Sequence, residues 1–336
     1  MNFFRGGVHI LKQTEKPEQF QPGRNADMDQ IVYQPEGRLL HTAENQRRCA
    51  GPAALREAFA DGAVLEGRAL RCDAAHDLHV DLGCMRGVIP RAEGAVGIAE
   101  GRVRDIALIS RVNKPVAFVI TGFTQAADGE PLALLSRRRV QEACLQTYIA
   151  ALSPGDVIPA TVTHLEGFGA FCDVGAGVSA LLPIDSISVS RIPHPGARFP
   201  QGQPILAVVR EIDADRRITL THKELLGTWE ENAAQLEVGE TVPGIVRSVE
   251  SYGIFVELAP NLAGLAERAE GVRAGDHAAV YIKSMLPQKM KIKLILVDAF
   301  AADYPPAPPH YFIRQGHIDR WRYSPPACGR RMESIF

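Results

Sequence analysis

The feature that most constrains the fold of this chain is an internal repeat. The segment that begins at Gly155 reappears at Gly239, and the aromatic segment that ends at Phe171 reappears ending at Phe255, so both recur after 84 residues. A constant offset across two separate motifs is not expected by chance. The chain therefore contains at least two copies of one structural unit.

Each copy has the pattern of a small β-barrel. Short runs of Val, Ile and Phe alternate with small or polar residues and are separated by glycine-rich breaks, which is typical of strands joined by tight turns. In the second copy, residues 205–212 and 217–221 flank the polar turn 213–216, which predicts a closing hairpin. About five strands in about 70 residues match the size of a small closed barrel.

A more divergent copy precedes these two. Residues 67–90 contain the same order of short apolar runs, and residues 116–120 and 132–136 are predicted to form its closing hairpin. The segments between copies carry apolar residues at helical spacing. The predicted fold is therefore mostly β, with three tandem five-stranded barrels joined by short helical linkers.

These patterns divide the chain into eight predicted segments. They are a disordered tail or over-extended start at 1–27, a helical segment at 28–63, the degenerate first barrel at 64–137, a helical linker at 138–152, the second barrel at 153–223, a second helical linker at 224–236, the third barrel at 237–298, and a Pro-rich spacer with an aromatic and basic tail at 299–336.

Composition excludes several classes of protein. Hydrophobic residues make up 46% and charged residues 23% of the chain, which is unlike a wholly disordered or fibrous protein. No apolar run approaches the roughly 18 residues of a membrane-spanning helix. The six cysteines include no Cys-x-x-Cys pair and are expected to be reduced and mostly buried. Since no secretory signal is recognised, we expect a cytoplasmic protein.

The repeated motifs together resemble the RNA-binding domain of the bacterial ribosomal protein S1 family. The resemblance covers about residues 65–297 and is strongest over 153–255. There it includes Gly155, Phe168-Gly-Ala-Phe171, Asp213 and the segment Arg217-Ile-Thr-Leu-Thr-His-Lys223. The resemblance implies an OB-fold Greek-key barrel in each copy. It also implies binding of single-stranded mRNA at the small ribosomal subunit.

Two aromatic pairs are the main candidates for RNA contact. Phe168 and Phe171 in the second copy, and Tyr252 and Phe255 in the third, each flank a glycine bend that allows two rings to share one face. Stacking of a base on such a ring contributes about 1–3 kcal/mol. The alternative is that the rings pack in the core, which is a stronger rival for Phe171 and Phe255 than for the other two.

Charged residues complete the predicted site. By resemblance, Asp213 and Arg217 belong to the second site, with Arg217 contacting a phosphate or a base, and Arg210 and Arg216 add phosphate contacts unless the hairpin is merely a solvated charged turn. In the third copy the acidic position is lost near residues 286–287. Four lysines lie there, so that ammonium point charges take the place of a planar arginine guanidinium: Lys283, Lys289, Lys291 and Lys293.

The first copy departs furthest from the pattern. His76 and His79 stand where the second copy has its phenylalanines, and Pro131 stands where it has its arginine. The resemblance suggests that this barrel docks on the ribosome instead. A zinc site formed by Cys72, His76, His79 and Cys84 is a weaker hypothesis, because the chain has no Cys-x-x-Cys knuckle.

The sequence thus predicts a non-enzymatic, monomeric protein that binds single-stranded RNA at the small ribosomal subunit without a cofactor or a membrane. A ribosome-independent RNA regulator or stability factor is the alternative, followed by a nuclease accessory subunit. The net charge is −2, so RNA contact must come from local patches. The tail after residue 310 is expected to turn at Gln315–Gly316, and either to contact RNA or ribosomal protein or to fold onto the third barrel.

Overall fold

The computed structural model describes residues 33–336, which form three closed five-stranded barrels in chain order. The prediction of a mostly β chain of tandem barrels with short helices is therefore confirmed. The tail or over-extended start predicted at 1–27 lies outside the described residues. Within the described part, no helix is long and apolar enough to cross a membrane.

Barrel 1 follows two short helices. Thr42 caps the first of them by accepting a hydrogen bond from the Asn45 amide at 3.2 Å. The elements are α1 (Ala43–Arg48), α2 (Pro52–Ala60), β1 (Leu65–Cys72), β2 (Leu78–Asp81), β3 (Arg86–Ile89), α3 (Ile106–Ile109), β4 (Pro115–Gln125) and β5 (Pro131–Ser136), with a 3₁₀ turn at Arg91–Glu93.

Barrel 2 follows the linker helix α4, which begins after Ser136, whose hydroxyl accepts from the Arg139 amide. The elements are α4 (Arg137–Thr147), β6 (Val157–Glu166), β7 (Gly169–Asp173), β8 (Ser179–Pro183), β9 (Pro204–Ile212) and β10 (Ile218–Thr221), with 3₁₀ turns at Ile149–Ala151, Ile184–Ser186 and Pro195–Ala197.

Barrel 3 follows α5, whose start is fixed by a capping box between Thr228 and Glu231. The elements are α5 (Trp229–Ala233), β11 (Thr241–Glu250), β12 (Gly253–Ala259), β13 (Leu262–Ala266), β14 (His277–Leu286), β15 (Lys291–Phe300), β16 (Arg320–Arg322) and β17 (Glu333–Ile335), with 3₁₀ turns at Lys223–Leu226 and Pro287–Lys289.

The three barrels share one topology. In each, the strands pair in the order first, second, third, fifth, fourth and back to the first, and the third and fifth strands are parallel. The first strand of each barrel carries a register shift, between Ala69 and Arg71 in β1 and between Val162 and His164 in β6. Such a bulge bends the strand so that one strand can pair with both of its neighbours and close the barrel.

A buried ion network joins barrels 1 and 2. The Glu36 carboxylate accepts two hydrogen bonds from Arg137, at 2.6 and 2.9 Å, and one from the Ala117 amide. Asp173 accepts from the Glu36 amide at 2.7 Å. Both side chains of the Glu36–Arg137 pair are less than 5% exposed, and Asp173 on β7 links the Glu36 backbone to barrel 2.

A second network joins barrels 2 and 3. Arg198, in the loop before β9, makes a bidentate pair with Glu257 on β12, and Arg247 on β11 contacts the same carboxylate at 2.8 and 2.9 Å. The two arginines hold the pKa of Glu257 below its usual value against the opposing effect of burial. The Asn261 side chain donates to the Lys223 and Gly227 carbonyls of the segment between the barrels and accepts from the Val189 amide of barrel 2.

The C-terminal tail packs against barrels 2 and 3. Trp321 and Tyr323 are buried with the core of barrel 3, and the Tyr323 hydroxyl donates to the Asn261 carbonyl at 2.6 Å. The predicted turn at 315–316 is wrong. The Gly316 carbonyl accepts from the Val157 amide, so the chain there runs along β6, and the tail hairpin is formed by β16 and β17 instead.

The cysteines are only partly as predicted. All six are free thiols, as expected for reduced cysteines, but only Cys144 and Cys172 are buried. Cys84 is exposed, because it lies in the loop between β2 and β3 rather than on an inward strand position.

The folded chain is expected to lose stability in acid because of one buried histidine. His222 is buried between Phe199 and Tyr311, with its Nδ1 3.0 Å from the Ile187 carbonyl and its Nε2 3.1 Å from the Tyr311 hydroxyl. Burial lowers the pKa of His222 to about 4. Between pH 6.5 and 4 the unfolded chain binds a proton that the folded chain excludes, so the free energy of unfolding falls as the pH drops, by up to about 3 kcal/mol.

Thermal or urea unfolding of the full chain at several pH values between 4 and 7 measures this effect. The His222→Gln variant is expected to lose less stability than the unsubstituted chain over this window. His41→Gln provides the control for the loss of one exposed histidine, and the His222→Gln profile is compared with it. Parallel profiles for the unsubstituted chain and His222→Gln would contradict the assignment to His222.

Candidate nucleic-acid interface

The aromatic pair of barrel 2 lies on its outer surface. Phe168 is 57% exposed, and its ring meets that of the half-buried Phe171 edge to face, with centroids 6.0 Å apart and planes at 89°. Gly169 between them allows this, because a side-chain carbon there would lie 2.6 Å from the Leu182 carbonyl of the neighbouring strand. The glycine thus lets β7 approach β8 and leaves both rings accessible.

Barrel 3 repeats the arrangement. Tyr252 is 68% exposed, and its ring meets that of Phe255 at 6.2 Å and 88°. Gly253 again approaches a backbone carbonyl, that of Ala266, too closely to carry a side chain. Neither Phe171 nor Phe255 belongs to the buried core of its barrel, so core packing does not account for the four rings.

A further aromatic neighbour was missed at the sequence level. The imidazole of His164 stacks on Phe171, with centroids 6.4 Å apart and planes at 25°, and its Nε2 lies 2.7 Å from Glu166. His164 pairs with Phe171 across the strands only because the bulge in β6 shifts the register by one residue. Strict alternation of side chains along β6 predicts that His164 points into the barrel, like the buried Val162.

The two charged residues of the barrel 2 hairpin have different surroundings. The Asp213 carboxylate accepts a hydrogen bond from the Arg217 amide at 2.8 Å, so it holds the turn together while Arg216 takes a left-handed conformation with φ 60°. The Arg217 side chain is 79% exposed and lies 3.4 Å from Asp215. Arg217 is thus free to contact a ligand, whereas Asp213 shapes the loop that presents it.

The lysines of barrel 3 lie beside its aromatic pair. Across the sheet, Phe255 on β12 pairs with Leu265 on β13, which pairs with Lys293 on β15. Two strand spacings separate Phe255 from Lys293, about 10 Å. Lys291 and Lys293 share a face by alternation, Lys283 lies on the adjacent strand β14, Lys289 lies in the turn, and all four are exposed.

Barrel 2 lacks this cationic row. The matching sequence of neighbours is Phe171, Leu181, Thr219 and Glu211, so a threonine stands where barrel 3 has Lys293. The two faces therefore share the aromatic pair but differ in charge. Barrel 2 depends on its hairpin arginines for positive charge.

Barrel 1 has no equivalent face. Strand pairing places His79 at the position of Phe171 and His76 at the position of Phe168, as predicted. Each imidazole lies near a carboxylate, since His79 is 2.9 Å from Asp73 and His76 is 3.6 Å from Asp105. The prediction that Pro131 replaces the arginine is wrong. The hairpin of barrel 1 is longer, and the pairing of β5 and β10 with their neighbouring strands aligns Leu132, not Pro131, with Arg217.

The structure does not assemble the zinc site considered for barrel 1. His79 is hydrogen-bonded to Asp73, and Cys84 is exposed in its loop. Among residues 33–336, no group of three or more His, Cys, Asp or Glu side chains is arranged to hold a metal ion.

Together, the three closed five-stranded barrels define a class of protein, the tandem OB-fold proteins, and two of the barrels carry an outward aromatic pair with flanking cations. The family model of the S1 RNA binding domain matches residues 152–223, which contain the aromatic pair and hairpin of barrel 2. Over these residues the chain is similar to the bacterial S1 proteins.

Curated relatives share this similarity. The chain is 29% identical over 253 residues to small ribosomal subunit protein bS1 of Leuconostoc lactis, covering 70% of this chain and 56% of the relative. It is 33% identical over 165 residues to a bS1 homolog of Bacillus cereus, covering 45% and 43%. The chain thus spans about half the length of the curated relatives it matches.

A solved structure of a Streptococcus pneumoniae multidomain protein with nucleic acid binding domains covers 70% of this chain and 74% of its own. At 14% identity and a TM-score of 0.23, this similarity is too low to support a conclusion.

Proposed function

We propose that this protein binds single-stranded RNA, including mRNA, through the outer faces of barrels 2 and 3. The observation that carries the proposal is the repeated edge-to-face aromatic pair, exposed in both barrels and in the same register. Unpaired bases stack on such rings, whereas the bases of a duplex are already stacked on one another. Arg217 and the exposed lysines supply phosphate contacts.

Fluorescence anisotropy of a labelled single-stranded RNA and of its duplex, titrated with salt, tests the proposal. We expect tighter binding of the single strand, with an affinity that falls with salt by about 0.7 in log–log slope for each phosphate contacted. Equal affinity for both forms, or no binding of either, would contradict a stacking interface.

The lysines of barrel 3 are expected to account for part of that salt dependence. Replacing Lys283, Lys291 and Lys293 together with Gln removes up to three phosphate contacts, which should lower the salt slope by about 2 and weaken binding at low salt. The control replaces three exposed arginines of the N-terminal segment, Arg38, Arg47 and Arg56, with Gln. An equal loss in both variants would show that net charge, and not the barrel 3 face, is responsible.

We further propose that the protein associates with the small ribosomal subunit through barrel 1. The relatives that support this are named as small ribosomal subunit proteins. Barrel 1 and its flanking helices also expose large apolar residues, with Leu70 at 53%, Ile106 at 63% and Phe59 at 43%. Such exposed apolar surface is typical of protein contact sites.

Cosedimentation with isolated ribosomal subunits tests the association. We expect the full chain to sediment with the small subunit, and Leu70→Asp combined with Ile106→Asp to abolish this without loss of RNA binding. Retained RNA binding with no sedimentation of the unsubstituted chain would favour a ribosome-independent regulator. We also propose that the protein is a cytoplasmic monomer and is not an enzyme. Labelled RNA should therefore stay intact when the protein binds it.

A further inference from the structure

A cleft lies between barrels 1 and 2, with a volume of about 500 Å³. Its barrel 1 wall carries Arg111 and Lys114, from the segment that leads into β4. Its barrel 2 wall carries Thr161, Thr163 and Gln201. The cleft is therefore lined by two cations on one side and by hydroxyl and amide groups on the other, which are the side chains that commonly contact phosphate.

The two cations are incompletely paired. One terminal nitrogen of Arg111 lies 3.2 Å from Glu36, and its Nε is buried with no hydrogen-bond partner in the described chain. Lys114 is half-buried, and its ammonium forms no ion pair within residues 33–336. Burial and the nearby Arg111 lower the pKa of Lys114, because both disfavour the charged form of its ammonium group.

The two carboxylates at the base of the cleft do not prevent an anion from binding. Glu36 is occupied by Arg137, Arg111 and the Ala117 amide. Asp173 accepts from the backbone amides of residues 36, 175 and 177 at 2.7 to 3.0 Å. Both carboxylates therefore have their donors within the protein, and the exposed charge of the cleft comes from Arg111 and Lys114.

The cleft adjoins the aromatic face of barrel 2. The Thr163 hydroxyl donates to the Phe171 carbonyl at 3.0 Å, and the Gln201 side chain donates to the Thr163 carbonyl at 2.6 Å. The next residue, His164, stacks on the Phe171 ring. An RNA strand whose bases stack on Phe168 and Phe171 therefore lies next to the opening of the cleft.

We propose that this cleft binds a backbone phosphodiester of RNA, next to the bases that stack on barrel 2, through Arg111 and Lys114. The inference rests on the proposed RNA binding and extends it, because it gives barrel 1 a part in holding RNA although barrel 1 has no aromatic pair at the position of Phe168 and Phe171. A free nucleotide carries the same phosphate chemistry and is the other source to be tested.

The test measures the affinity of the full chain for a labelled 12-nucleotide RNA as a function of salt. Lys114→Ala removes one phosphate contact, so the log–log salt slope should fall by about 0.7 and the affinity at low salt should fall several-fold. Lys114→Arg keeps the charge and should restore the slope. Arg38→Ala is the control for loss of one exposed cation, and thermal unfolding verifies that each variant is folded.

The outcomes separate this inference from the proposed function. If the unsubstituted chain does not bind RNA, the proposed function fails, and the cleft inference fails with it. If RNA binds and Phe168→Ala with Phe171→Ala weakens it, but Lys114→Ala leaves the slope unchanged, the cleft inference alone is overturned. Binding of adenosine monophosphate that depends on Lys114, together with an unchanged RNA slope, would assign the cleft to a free nucleotide instead.

Discussion

Replacing Phe168, Phe171, Tyr252 and Phe255 with Ala is expected to abolish binding of single-stranded RNA while all three barrels stay folded. The rings lie outside the barrel cores, so their loss removes ligand contact and little packing. At about 1–3 kcal/mol for each stacked base, the loss of two stacked bases from one barrel weakens binding at least about 30-fold. The loss of both pairs also removes the advantage of two linked sites.

The two barrels are best tested separately before they are combined. Phe168→Ala with Phe171→Ala, and Tyr252→Ala with Phe255→Ala, should each weaken binding of a long single strand, and the fourfold variant should bind at the detection limit of an anisotropy titration. Far-ultraviolet circular dichroism and the thermal midpoint should match the unsubstituted chain.

Barrel 1 offers a matched control for the loss of exposed aromatic surface. Phe59 and Phe123 form another edge-to-face pair, with centroids 5.9 Å apart and exposures of 43% and 37%, away from the proposed interface. Phe59→Ala with Phe123→Ala should leave RNA affinity unchanged. Intact binding by the fourfold variant, or an equal loss in the control, would overturn the stacking proposal.

Arg137→Met is expected to lower the free energy of unfolding by up to about 3–5 kcal/mol, the usual cost of breaking a buried ion pair, because Glu36 then keeps only Arg111 at 3.2 Å and the Ala117 amide. Methionine fills much of the space of the arginine stem but cannot donate to Glu36, which is 3% exposed at its side chain. Since folded domains are stable by only about 5–15 kcal/mol, packing of barrel 1 on barrel 2 should be visibly weakened.

Urea unfolding of the full chain measures this loss, and two variants make it specific. Arg138→Met, at the next residue, breaks a pair with Glu93 in which both side chains are about one quarter exposed, and should cost about 1 kcal/mol or less. Arg137→Met combined with Glu36→Gln removes the buried charge as well, and should recover part of the stability. Similar losses from Arg137→Met and Arg138→Met would show that the buried pair does not join the barrels.

Much of the candidate site could be predicted because its signal is local. The aromatic pairs follow from four-residue motifs around a glycine, and the hairpin cations follow from a polar turn between two apolar runs. Such short patterns depend on turn geometry, which residues close in sequence decide. Whether these residues bind RNA stays a prediction.

The errors arose where the register mattered. His164 was missed because a bulge in β6 shifts its register. Pro131 was assigned to the position that Leu132 holds because the hairpin of barrel 1 is longer than that of barrel 2. One added residue moves every later side chain of the strand relative to its partner. No pattern within a single strand reveals where that residue is inserted.

The amino-acid order alone determined the number of barrels, their strand content and the two aromatic faces, since repetition and alternation are properties of neighbouring residues. Only the tertiary structure decided how the barrels join. Glu36 and Arg137 are 101 residues apart, and Arg198 and Glu257 are 59 apart. A buried charge needs a partner that excludes water with it, and that partner is determined by packing in space rather than by any spacing along the chain.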